Sequence, residues 1–200
     1  MAKVIDEGKS YQILIDPLLK HSHQKVAHLI KEGSTVIDIA CGTGALARQI
    51  STRARSITGI DLSASMIKQA KSLKLANAEC LVMDAKNLSQ FPDQKFDYAT
   101  ISMAIHQFPR DLAKQILMEM KRIAKSIIIL DYTDKMPKDP AGFFVIFIEW
   151  LAGREHNGNF RQYLKQGGLD TILEECGLVT ENKIVSVNKI FNIIKCRTKI

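Results

Sequence analysis

The stretch VIDIACGTGALA, residues 36–47, runs from three apolar strand formers, Val36, Ile37 and Ile39, into a glycine turn and then into good helix formers. That order predicts a buried strand, a tight turn and a helix. An aspartate, Asp38, stands inside the strand, where an apolar side chain would be expected. Gly42 and Gly44 leave room for the backbone of the turn to approach a bound molecule, because neither carries a side chain to stand between. On this spacing alone a tight turn with no ligand stays open.

Outward from this stretch, strand and helix patterns alternate. SITGID, AECLVMD, FDYATISM and SIIILDY read as strands, and residues 63–73 and 111–125 as helices. Alternation at this spacing implies right-handed βαβ units and a parallel sheet covered on both faces. Upstream, Asp16 and Pro17 give an N-cap and a first-turn proline for a helix that Gly33 closes, with Leu18, Val26, Leu29 and Ile30 on its apolar face. His21 and His23, two residues apart on that helix, read as surface residues rather than a metal pair. Past Tyr132 the pattern changes. A polar segment, TDKMPKDP, leads to the apolar helix GFFVIFIEWLAG, then to NFRQYLKQGG and LDTILEECG, and the chain closes with two strands around a tight turn at Asn188-Lys189. The fold class expected is α/β: a three-layer, doubly wound, seven-stranded sheet, mostly parallel, with an antiparallel last strand.

The chain has 200 residues, 46% hydrophobic and 24% charged, which fits one ordinary globular domain over 1–200 with a helical insertion at about 134–168. MAKVIDEGKSY has no apolar core of a secretory signal, and residues 143–152 are too short and too interrupted to cross a bilayer, so a cytoplasmic protein is expected. Four cysteines, at 41, 80, 176 and 196, lack metal-ligand spacing and read as buried reduced thiols. No bridge and no metal is expected. The net charge of +7 comes from scattered lysines and arginines, so nucleic acid is disfavoured as a partner and a small-molecule acceptor preferred.

In an open α/β sheet ligands bind at the carboxyl ends of the strands, where strand order reverses. Asp61 closes the second strand, seventeen residues after Gly44, placed to accept from both hydroxyls of a ribose. Asp84 closes the third strand, where a carboxylate can accept from an adenine amine. Capping roles for any of the three aspartates stay open.

VIDIACGTGALA, GIDLSASMIKQAK, LVMDAKNLSQFPDQKFDYATISMAIHQF and IAKSIIILDY together resemble the successive motifs of class I S-adenosylmethionine-dependent methyltransferases, over about residues 12–133. The resemblance implies S-adenosylmethionine as methyl donor and S-adenosylhomocysteine as product. It implies that Asp38 and the turn Ala40, Cys41, Gly42, Thr43 and Gly44 hold the methionine part and that Asp61 holds the ribose. Leu62 and Met66 would flank the adenine, Asp84 and Ala85 reach its amine edge, Ser102 and Met103 line the methionine, and Tyr11 belongs to a segment closing over the cofactor. A dinucleotide brings an anionic pyrophosphate to the first strand, whereas this donor brings an ammonium, which a carboxylate attracts. Asp38 therefore separates the methyltransferase reading from an NAD(P)-dependent oxidoreductase; a non-catalytic module that binds the donor is the third reading.

Methyl transfer from a sulfonium is a displacement at carbon, so the site must align the acceptor, exclude water and, for some acceptors, remove a proton. His106, just past the fourth strand, is the candidate base, with packing at a helix start as the alternative. Tyr132, Glu149, Trp150, Arg154, His156 and Tyr163 are candidate acceptor residues, and Asp131 and Arg161 lie nearby in sequence. The aromatic helix at 143–150 points to an apolar or lipid-like acceptor; alternatively it is an amphipathic or core helix with Glu149 on its wet face.

Overall fold

The computed structural model describes residues 16–198. Seven strands form one sheet in the order β3-β2-β1-β4-β5-β7-β6. They are β1 (Thr35–Ile39), β2 (Ser56–Asp61), β3 (Ala78–Val82), β4 (Phe96–Ser102), β5 (Ala124–Tyr132), β6 (Val179–Val185) and β7 (Phe191–Arg197). Strands β1 to β5 pair in parallel, while β7 runs antiparallel to both β5 and β6. The expected fold, with its reversed last strand, is the observed one.

The helices are α1 (Asp16–His28), α2 (Ala45–Ile50), α3 (Ala64–Ser72), α4 (Arg110–Ile123), α5 (Pro140–Leu151), α6 (Arg154–Lys165) and α7 (Gly168–Glu175), and a single 3-10 turn spans Ile105–Gln107. Strand order reverses between β1 and β4. Right-handed crossovers therefore place the helices before the switch on one face and α4 and α7 on the other. β5 shows why a central parallel strand reads as a continuous apolar run: from Ile127 to Tyr132 every residue is buried.

Several boundaries differ from expectation. α1 ends at His28 rather than at Gly33, which instead turns the chain with φ 75° and donates its N–H to the Arg53 carbonyl at 2.8 Å. The β6–β7 connection takes residues 186–190, longer than a two-residue turn. The Ser186 hydroxyl oxygen accepts from the Ile190 and Phe191 N–H groups at 3.1 and 2.9 Å, so a side chain shapes the turn there. α6 begins at Arg154, ahead of NFRQYLKQGG, β3 ends at Val82 rather than at Asp84, and residues 124–125, expected in a helix, open β5.

α5 is the largest departure. Its apolar side chains face outward: Phe143, Phe144, Phe147, Trp150 and Leu151 are between 49% and 62% exposed. Glu149, on the wet face in the amphipathic alternative, is only 4% exposed. The helix is anchored through Val145 and Glu149 and through Gly142, where a Cβ would stand 1.9 Å from the Pro137 carbonyl oxygen. Its start is capped by Asp139, whose side chain accepts from the Gly142 N–H at 2.8 Å.

Candidate active site

The carboxyl ends of β1, β2 and β4 carry the first half of the site. Asp38 pairs in register with Thr100 of β4 and Gly59 of β2. The Thr100 hydroxyl donates to Asp38 Oδ1 at 2.7 Å, while Oδ2 is buried without a partner. Burial pushes the Asp38 carboxyl up to about 7; the Thr100 bond opposes this, and the nearby Cys80 and Asp61 reinforce it. A buried, unpaired carboxylate oxygen is costly unless something cationic meets it.

Beyond β1 the backbone turns through two left-handed residues, Ala40 (φ 51°) and Gly42 (φ 52°), and α2 is entered through Gly44 (φ 79°). A Cβ on Gly42 would point into open space, whereas one on Gly44 would meet Leu73 Cδ1 at 2.9 Å and Ala70 Cβ at 3.2 Å. Gly42 thus faces a ligand space, and Gly44 permits close packing on α3. Asp61 holds the turn: its Oδ2 accepts from the Gly42 N–H at 2.9 Å and its Oδ1 from the Ser63 N–H at 2.8 Å. Each oxygen keeps a further lone pair for a ribose hydroxyl. Cys41 and Thr43 are buried beneath the turn, and a Cβ on Gly59 would touch both the Cys41 and the Cys80 sulfur.

Leu62 is 73% exposed beside the turn, and Met66 is half-buried one helical turn on. Asp84 lies past the end of β3 with both oxygens on Lys86, 3.0 Å from its N–H and 3.2 Å from its Nζ, and Ala85 packs against the core edge. At the end of β4, the Ser102 hydroxyl bonds His23 Nε2 at 3.0 Å, and the buried Met103 is left-handed (φ 53°). Left-handed non-glycine residues are uncommon, and two stand at the ends of adjacent strands facing one space. Tyr11 lies outside the described residues.

His23 corrects its surface reading. It is 4% exposed on the buried stripe of α1, with Leu19 and Val26. Burial, aided by the Arg48 charge, lowers its pKa to about 4, so the ring that touches Ser102 is neutral. His21 is exposed as expected.

The second half lies past β4 and β5. His106, on the 3-10 turn, is 1% exposed, its Nδ1–H donating to Asp131 Oδ1 at 2.6 Å. Asp131 also accepts from the backbone N–H of Tyr132 at 2.7 Å and of His106 at 3.3 Å. The other ring nitrogen of His106, Nε2, faces Glu149 Oε2 at 3.7 Å. Glu149 Oε2 is 2.5 Å from His156 Nε2, and Oε1 accepts from the Tyr132 hydroxyl at 2.9 Å. Tyr163 donates to the Tyr132 carbonyl at 2.6 Å. Burial resists charge on His106, but Asp131 and then Glu149 outweigh it and hold its pKa above the ordinary value. Burial likewise resists charge on Glu149, and the bond from His156 together with the neighbouring imidazoles holds its carboxyl below the usual range.

The fold therefore unites Tyr132, Glu149, His156, Tyr163 and His106, five acceptor-side candidates from four separate elements. It leaves Trp150 outside, stacked on Phe147 with ring centroids 6.1 Å apart, and Arg154 and Arg161 exposed. Sequence reasoning missed Thr100 and Phe160. Thr100 was legible as a polar residue in a buried strand; Phe160, 1% exposed and 6.0 Å from the His106 ring centroid, carried no distinguishing signal.

These residues fit S-adenosylmethionine. Asp38 Oδ2 awaits a cation, the Gly42 turn is open, and Asp61 stands beside it.

The family described as "Methyltransferase domain" matches residues 36–126. A demethylmenaquinone methyltransferase of Desulfitobacterium hafniense is 32% identical over 173 residues, 74% of this chain and 67% of that protein. One from Listeria welshimeri is 34% identical over 104 residues, 48% of this chain and 42% of that protein, so the matched segment spans less than half of the relative's length. The crystal structure of a SAM-dependent methyltransferase from Aquifex aeolicus has the same fold: TM-score 0.67 at 22% identity, covering 96% of this chain and 98% of the other.

Proposed function

The chain belongs to the class I S-adenosylmethionine-dependent methyltransferases, and from that premise we propose that it transfers a methyl group from S-adenosylmethionine to a small apolar acceptor. Asp38 carries this reading. A buried carboxylate with one unpaired oxygen beside an open glycine turn suits an ammonium and repels a pyrophosphate, which sets the oxidoreductase alternative aside.

When bound, the donor supplies the electrophilic methyl group. The chain's residues position it: Asp38 takes the ammonium, the turn from Ala40 to Gly44 follows the methionine backbone, and Asp61 takes the ribose. Leu62 and Met66 flank the adenine, Asp84 and Ala85 meet its edge, and Ser102 and Met103 line the methionine side. The acceptor enters beside α5 and α6, the insertion at about 134–168, which closes the site from water. Trp150 and Arg154 sit at its rim. His106, whose Nε2 faces Glu149 Oε2 at 3.7 Å and whose ring Asp131 orients, is the candidate base beside the acceptor.

Two observations support an apolar acceptor: the outward aromatic face of α5, and relatives named for demethylmenaquinone. No described helix is long and apolar enough to cross a membrane. The four buried thiols fit a reducing compartment, in keeping with a cytoplasmic enzyme.

Calorimetry with S-adenosylmethionine, S-adenosylhomocysteine and NAD(H), followed by transfer of labelled methyl to prenylated quinol acceptors, tests the reading. Binding of the sulfonium donor and label in the quinol are expected. Binding of the dinucleotide alone would overturn it, and donor binding without transfer to any acceptor would favour the non-catalytic module.

A further inference from the structure

We propose that His106 Nε2, Glu149 Oε2 and His156 Nε2 form a binding site for one divalent transition-metal ion of the zinc class. The three donor atoms lie within 4.8 Å of one another. Two imidazoles and one carboxylate are a borderline donor set, suited to zinc and its first-row neighbours rather than to magnesium or calcium, which take oxygen ligands.

The outer partners strengthen the assignment. A metal-bound histidine usually donates its second ring N–H to a carboxylate, which fixes the tautomer and turns the other nitrogen to the ion. His106 does this with Asp131 at 2.6 Å, and Asp131 is itself fully buried and held by two backbone N–H groups. Glu149 is oriented in the same way: the Tyr132 hydroxyl holds Oε1 at 2.9 Å and leaves Oε2 toward the two imidazoles.

Zinc bonds of about 2.0–2.1 Å in a tetrahedron set donor atoms roughly 3.3 Å apart. His106 and Glu149 stand at 3.7 Å, close to that spacing, while His156 sits against Glu149 at 2.5 Å in a hydrogen bond. Metal entry displaces the protons held between these side chains and moves His156 outward by about an ångström. His156 can move: its side chain is 23% exposed at the start of α6, against 2% and 6% for the other two. With three protein ligands a fourth position stays open for water or an acceptor oxygen.

The site does not depend on the methyl-transfer reading, because it is tested by metal binding and not by turnover. Full-length protein stripped with chelator is titrated with Zn2+ by calorimetry and with Co2+ by visible absorption. One equivalent is expected, with the intense absorption of a four- or five-coordinate cobalt centre, and a rise in Tm with Zn2+ that Mg2+ does not reproduce. His156→Ala and Glu149→Gln should each lower Zn2+ affinity by tenfold or more, while the exposed His21→Ala leaves it unchanged. Absence of stoichiometric binding by the wild type overturns the site whatever the variants do. So does binding that His156→Ala leaves intact, or a weak octahedral cobalt spectrum. Should Glu149→Gln not fold, the wild-type titration and His156→Ala decide.

Discussion

The Thr100 hydroxyl satisfies one oxygen of Asp38, at 2.7 Å, and the fold buries the other with nothing to pair it. The charge complement is thus left for a ligand. Replacing Asp38 by Asn keeps the size and the Thr100 contact but removes the charge. S-adenosylmethionine affinity should fall by about 1.5–3 kcal/mol, the usual worth of a hydrogen bond to a charged group. Calorimetry at pH 8 checks this, and an unchanged Kd would remove Asp38 from the ammonium site.

The same carboxylate gives stability an unusual pH dependence. Its pKa rises from an ordinary 3.8 to about 7 on folding, so between those values the folded state holds a proton that the unfolded state has lost. Stability then falls as pH rises through that window, by at most about 4 kcal/mol, and is level above it. His23 has the opposite sign. Its pKa drops from 6.5 to about 4, so the unfolded chain binds the proton first and stability falls as pH falls from 6.5 to 4. The two slopes oppose each other between pH 4 and 6.5. Relative to wild type, Asp38→Asn should become progressively more stable toward the upper end of this window, and His23→Gln toward the lower. Urea denaturation at several pH values reads both difference curves; parallel curves would contradict the burial of these groups.

Two glycines of one turn should separate ligand contact from packing. Gly42→Ala places a methyl group in open space, so it costs about 1 kcal/mol of backbone strain in stability but hinders the donor. Gly44→Ala carries similar strain and also overlaps Leu73 and Ala70, so its stability loss should be larger, about 2–3 kcal/mol. Thermal unfolding with and without S-adenosylhomocysteine distinguishes them. The ligand should stabilise the Gly44 variant more than the Gly42 variant.

The sheet and the turn beside Asp38 are legible because both follow from local order. Alternating strand and helix patterns dictate the parallel sheet, and a carboxylate inside a strand followed by CGTG marks its own exception to apolar burial. His23 was misread although the signal existed: it lies four residues after Leu19 and three before Val26, on the helix's buried face. α5 leaves two readings open for a different reason. Its composition is apolar almost all round, so periodicity cannot say which side faces the core, and Glu149 suits either a wet edge or the acceptor side. Only the contacts from Tyr132 and His156, 17 and 7 residues away, make burial of that carboxylate affordable. The cluster around His106 and Glu149 joins the ends of two strands to two later helices, and no local pattern encodes that meeting.

The exposed face of α5 leads to the last prediction. Phe147 and Trp150 stack on each other at the surface, 53% and 59% exposed, and contribute little to the folded core. The double substitution Phe147→Ser and Trp150→Ser should therefore change stability by less than about 1 kcal/mol and leave S-adenosylmethionine affinity unchanged. If this face receives the acceptor, KM for a prenylated quinol should rise about tenfold, the worth of one to two kcal/mol of lost apolar contact. A short-chain, water-soluble quinol should show a smaller change. Gly142→Ala is the contrasting variant. Its methyl group would collide with the Pro137 carbonyl, 1.9 Å away, and displace the whole helix, so stability and turnover should fall together. Equal KM values for wild type and the double variant on the long-chain acceptor would place acceptor entry elsewhere.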